Sequence, residues 1–170
     1  MASPPRRVVG RAVFGLDGTI ASSVYGTILV MATITAASSE RDDPWRLIAI
    51  VSVGALVFWV AHVYAHALAE SVELGRRIAV PDLRRIARRE AGIVLAAVPP
   101  TAALLLGALG VVGKTTAVWL AMGAGIAMLA AQGLRYARVE HFGTGDRIRA
   151  VAGNVALGLI VVALKAFLVH

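Results

Sequence analysis

The sequence predicts an all-α, polytopic membrane protein with five transmembrane helices, and three observations carry that expectation. Of the 170 residues, 58% are hydrophobic and only 16% charged, against roughly 25% charged in soluble domains. The apolar residues fall into five blocks, each of about 20 residues, the length that crosses a hydrocarbon core about 30 Å thick. The basic residues gather between the blocks, which is the pattern of membrane topology. A net charge of +7 is therefore read as orientation in a bilayer, not as a nucleic-acid surface. Cysteine is absent, which excludes disulfides and thiolate metal sites. The length fits a single domain, residues 1–170.

Residues 1–11 are basic. The first block, about 12–37, is interrupted only by Asp17. It is long for the apolar core of a leader peptide and carries a carboxylate, so a retained span is expected. A short polar link with Glu40, Asp42 and Asp43 leads to the second block, 47–69. The link 71–90 then carries Arg76, Arg77, Arg84, Arg85, Arg88 and Arg89. Pro81-Asp82 reads as a helix start, because proline suits the first turn and an acid complements the dipole there. That helix is expected to rest on the membrane surface and to meet anionic lipids.

The third block, 91–112, is expected to break at Pro99-Pro100, which lack amide donors and push the preceding residue from helical angles. Gly110–Lys114 makes a tight connection to the fourth block, 115–134. A second basic link, 135–149, has Gly143-Thr144-Gly145-Asp146 as its expected turn, and the fifth block is 150–168.

Five spans place the termini on opposite sides. With the N-terminus cytoplasmic and the C-terminus outside, thirteen of the seventeen basic residues face the cytoplasm and only Arg41, Arg46, Lys114 and Lys165 lie beyond. The opposite orientation inverts that bias, so N-in is expected. Fifteen of the seventeen are arginine, a composition that suits a GC-rich bacterial genome and hence a bacterial cytoplasmic (inner) membrane.

Ionisable groups at membrane depth are costly and mark function. His62, His66 and Glu70 repeat every four residues and share one face of the second span. A rise of about 1.5 Å per residue puts His62 roughly level with Asp17 on the first span. Asp17, His62, His66 and Glu70 are therefore the candidate ion- or proton-binding groups, with His66 and Glu70 at the cytoplasmic mouth. Tyr25, Gln132 and Asn154 are candidate cavity-lining residues in the same half of the bilayer. Imidazoles four residues apart can ligate one metal ion, exchange protons, or simply fix packing across helices. Asp17 can equally cap its helix near the interface. Gly18, Ser22 and Gly26 form a small-residue stripe, and Ala121, Gly123 and Gly125, with Ala152 and Ala156, read as further close-packing faces. Those faces suggest a homodimer. Lys165 is expected to snorkel to the outer interface, and His141, beside Glu140, to be solvated.

Neither a phosphate-cradling glycine loop nor a metalloprotease His-Glu-x-x-His occurs, and no Ser/His/Asp set converges; enzymatic activity is not expected. The leading expectation is a small cation, metal or proton-coupled transporter with a cytoplasm-facing site, a divalent ion entering as substrate. The alternative is a membrane scaffold that uses its arginine-rich surface to hold lipid or an acidic partner.

Tyr25-Gly26-Thr27, Ala61-His62-Val63-Tyr64-Ala65 and Ala163-Leu164-Lys165 together resemble a family of small bacterial integral membrane proteins, a likeness that covers nearly the whole chain and implies no activity. More distantly, the layout is similar to the vacuolar iron transporter family. That resemblance implies five spans, a cytoplasmic N-terminus, an insertion after the second span and dimeric metal/proton exchange. Asp17-Gly18 matches the family's Asp-Gly position, where the resemblance implies an aspartate on the ion path. The chain departs from the family at His62–His66, where a Ser-Met-Ala run is usual, and in its arginine-rich insertion.

Overall fold

The structure, a computed structural model, describes residues 9–38 and 43–168, with side chains from 20–38 and 43–167. Every described element is helical: α1 (Val9–Ala37), α2 (Pro44–Leu74), α3 (Val80–Arg89), α4 (Gly92–Leu95), α5 (Val98–Ala108), α6 (Lys114–Val139) and α7 (Thr144–Leu168). Among the described residues, four helices are long and apolar enough to cross a membrane. A fifth span is counted when Val80–Leu95 and Val98–Ala108, which meet at 41°, are taken as one bent pair.

Local chemistry sets the boundaries. Asp43 starts α2 by accepting the Trp45 N–H at 3.1 Å, with Pro44 in the first turn. Gly75 ends it at φ 59°, its N–H bonding back to the Val72 carbonyl. That left-handed residue is where glycine is cheapest. At 31 residues α2 is about 46 Å long by the helical rise, so it outruns the expected 47–69 at both ends. The break in the third block falls at Ala96–Ala97, with Pro99 and Pro100 in the first turns of α5. Proline is tolerated there because the amide it lacks has no partner in a first turn. The basic link 135–149 is shorter than its sequence suggests. α6 runs to Val139 and α7 begins at Thr144, so Gly145 and Asp146 belong to a helical first turn instead of a loop.

α1 and α6 form the centre, with α5 and α7 packed on α6 and with α2, α4 and α7 packed on α1. Close approaches at small residues make this possible. A Cβ on Gly26 would stand 2.6 Å from the Ile93 backbone, and one on Gly125 would stand 2.6 Å from the Met31 side chain. Ser22 and Gly26 therefore form the contact face of α1 that their spacing suggests, and α4 occupies it. Gly18 lies outside the described side chains. Ala121 and Gly125 are buried within the bundle, whereas Gly123, Ala152 and Ala156 face outward.

Lys165 has a partner that its sequence position did not announce. It is 7% exposed and turns inward, donating to the Ser38 hydroxyl just beyond the end of α1. The last turn of a helix carries unpaired carbonyls and partial negative charge, which gives an inward ammonium an electrostatic partner that an outward one would lack.

Candidate functional site

The polar groups of interest gather where the end of α2 meets α3 and the start of α4. Their convergence depends on how closely α4 sits on α1. A Cβ on Gly92 would lie 2.6 Å from both the Ser22 and Ser23 hydroxyl oxygens, so only glycine admits this approach. The Ser22 hydroxyl donates to the Arg89 carbonyl at 3.2 Å. Between these contacts the chain turns at Glu90, whose N–H bonds to the Ile86 carbonyl at 2.9 Å. The turn carries the Glu90 side chain into the protein, leaving the residue 4% exposed.

A carboxylate removed from water needs a partner. Among the described residues, the one basic group within ion-pair range of Glu90 is His66, whose Nδ1 lies 3.8 Å from Oε1. That distance is too long for a hydrogen bond; it is a charge contact that strengthens when the imidazole is protonated. The His66 side chain is half exposed, so the pair joins a buried acid to an accessible base.

His62 lies one turn back along α2. Its ring sits 4.7 Å from that of Tyr25 on α1, tilted by 39°, and 6.1 Å from that of His66. The Nδ1 of His62 lies 3.3 Å from the Phe58 carbonyl and that of His66 lies 3.0 Å from the His62 carbonyl. A carbonyl only accepts, so these contacts assign the proton to Nδ1 in both neutral rings and leave each Nε2 with a free lone pair. Each imidazole can therefore take up a proton at Nε2 without breaking its backbone bond.

The remaining expected residues go elsewhere. Glu70 is engaged by the Arg85 guanidinium and joins a surface ion-pair chain in which Arg76 holds Asp82 at 3.0 Å. That bond, with the Ala79 N–H, keeps the Asp82 carboxyl below its ordinary range. Gln132 is buried between helices, donating to the Thr27 hydroxyl at 3.3 Å, while its Oε1 has no partner among the described residues. Asn154 reaches across from α7, its Nδ2 being 2.8 Å from where a Gly133 Cβ would stand. Tyr25, 42% exposed, stays by contrast with the cluster through its ring contact with His62. A cleft of about 340 Å³ between α1 and α6 is lined by Ile20, Ala21, Tyr136 and Glu140. Asp17 lies on α1 but outside the described side chains. His141 is exposed at φ 54°.

Among the described residues no three His, Cys, Asp or Glu side chains are grouped to hold a metal ion. The described cluster suits proton exchange better than ligation. Glu90 was the residue sequence reasoning overlooked; its one signal is a carboxylate immediately before the apolar block 91–112, two residues ahead of Gly92.

Comparison with known proteins yields no match to a family model, to a curated protein or to a solved structure. The likenesses drawn from the sequence rest on the residues quoted for them.

Proposed function

We propose that the chain is a five-span protein of the bacterial cytoplasmic membrane, N-terminus inside and C-terminus outside, that moves protons or a proton-coupled cation through a site open to the cytoplasm. The observation that carries this reading is the buried Glu90 carboxylate beside the half-exposed His66 imidazole, at the start of a bent apolar segment. Imidazole is the side chain whose charge changes near neutral pH, and broken spans are where transporters place their sites. His66 takes a proton from solvent at Nε2, then swings its Nδ1–H from the His62 carbonyl to Glu90 and hands that proton on, while Tyr25 holds His62 against α1. Asp17, level with His62 by sequence depth, is the second carboxylate of the path. Glu70 is not part of it, because its charge is met by Arg85.

The orientation rests on the distribution of arginine. A divalent ion as substrate receives less support than the proton, since two imidazoles and one distant carboxylate make a poor ligand set.

Reconstituted vesicles under an imposed pH gradient test the proposal. Wild-type protein collapses the gradient; Glu90→Gln and His66→Ala slow it at least tenfold, and His141→Ala does not. Undiminished flux in folded Glu90→Gln/His62→Ala protein would refute the site, and absence of flux in wild-type protein, with or without divalent ions, would refute transport.

A further inference from the structure

The strongest surface feature outside the histidine cluster is α3, and its rotation about its own axis is fixed by four contacts. Ile86 is 3% exposed in the bundle. The Trp59 indole N–H donates to the Ala87 carbonyl at 3.0 Å. Arg85 reaches Glu70, and Asp82 is held by Arg76. With about 100° between successive residues, Leu83, Ala87 and Val80 continue the apolar arc from Ile86 round one flank. Arg84 and Arg88 border that arc, about 160° from Ile86 on either side.

Leu83 and Val80 are 42% and 71% exposed, so the apolar arc extends past the protein that covers its first part. Arg77, Arg84 and Arg88 are exposed and have no carboxylate within ion-pair range among the described residues. Arg84 and Arg88 stand one turn apart, about 5–6 Å at Cβ, a spacing that suits one phosphate or two adjacent ones.

We infer that Arg77, Arg84 and Arg88 form a binding site for the phosphate groups of anionic phospholipids, with Val80 and Leu83 seated at the acyl boundary beside them. A soluble acidic protein would meet the same arginines but has no use for the open apolar flank. A helix with an apolar face and a basic edge, held against the C-terminal half of α2, matches the interfacial class in composition. Arginine matches phosphate through paired N–H donors and not as a point charge. This site is independent of proton movement at Glu90.

Trp59 provides a native reporter, being hydrogen-bonded to α3 itself. In a Trp45→Phe/Trp119→Phe background its emission is quenched by brominated lipid beside α3. The measurement is the relative affinity for brominated phosphatidylglycerol over brominated phosphatidylcholine in mixed vesicles. Each basic residue near the surface is worth about fivefold, so three give a preference somewhat above 100-fold. Arg77→Gln/Arg84→Gln/Arg88→Gln should bring the ratio to within about threefold of unity, and Arg135→Gln/Arg138→Gln should leave it unchanged. Should the triple variant fail to fold, Arg84→Gln alone is expected to lower the ratio about fivefold. Val80→Ser/Leu83→Ser should reduce quenching by both lipids, because the helix then sits higher. An unchanged ratio in a folded arginine variant would overturn the inference. So would a wild-type ratio near one, and binding of polyglutamate to that protein would then point to an acidic polypeptide.

Discussion

Gly26→Ala probes the contact on which the candidate site depends. The new methyl would stand 2.6 Å from the Ile93 Cα, 2.9 Å from its carbonyl oxygen and 3.2 Å from the Ala96 Cβ. Ordinary contact begins at 3.4 Å, so α1 and α4 must part by 3.4 − 2.6, or 0.8 Å. The nearest atoms are backbone and have no rotamer in which to retreat. Overpacking of this kind costs about 1–3 kcal/mol, and a backbone clash belongs at the upper end. Replacing glycine within a helix returns up to about 1 kcal/mol, leaving a net loss of about 2 kcal/mol. Gly123→Ala and Gly153→Ala, whose Cβ positions meet nothing within 4 Å, keep only the gain and serve as controls. Reversible unfolding in mixed micelles, read by far-UV circular dichroism, gives the three values on one scale. A Gly26→Ala protein as stable as the Gly123→Ala protein would refute the close α1–α4 packing and the burial of Glu90 that follows from it.

Three further outcomes are expected. Gln132→Leu should be neutral or up to about 1 kcal/mol stabilising in the same unfolding assay, because it removes a buried oxygen without a partner and Thr27 keeps its bond to the Ser23 carbonyl; a clear loss would mean that Oε1 has a partner in the membrane. Trp59→Phe leaves the Ala87 carbonyl without its indole donor and should cost about 1 kcal/mol, with faster amide exchange across α3; unaltered exchange would show that the helix is held by other contacts. The lowered Asp82 carboxyl stabilises the α3 start fully above the ordinary carboxylate range, near 4. That contribution is lost only as pH falls below it, through the depressed folded value. The protection of the Ala79 amide, its exchange rate relative to the intrinsic rate at each pH, should thus be constant from neutral to about pH 5 and fall below about pH 4, and Asp82→Asn should show the lower protection throughout.

The helices were legible because membrane spans write themselves in composition. Each expected block lies largely within helix, and the break near Pro99-Pro100 follows from the missing amide donors. Its placement at Ala96–Ala97 also follows, since proline is harmless in the first turn after a break. The extension of α2 to Leu74 and of α6 to Val139 was not legible, because polar residues join a helix as readily as a surface link when a neighbour supports them. Ser22 and Gly26 announced a close contact by spacing alone but not its partner. Glu90 was hidden for the same reason: its burial comes from α4 lying on Ser22 and Ser23, about 70 residues away in sequence, a tertiary fact with no local sign. That Lys165 bonds to Ser38 was not legible, because the two are 127 residues apart. His62, by contrast, was marked by depth, and its ring contact with Tyr25 joins the two helices on which the sequence placed the site.

The central claim is that Glu90 exchanges a proton in step with the imidazoles of α2. Among the described residues the titratable group in ion-pair range of Glu90 is His66, with His62 one turn back along α2. Infrared difference spectra recorded across a pH titration of lipid-reconstituted protein read carboxyl protonation directly. Among the bands of the ten Asp and Glu carboxyls, one component should be absent from Glu90→Gln and shift its midpoint in His66→Ala. Bands identical in wild-type and Glu90→Gln protein, or a Glu90 component indifferent to His66→Ala, would contradict it.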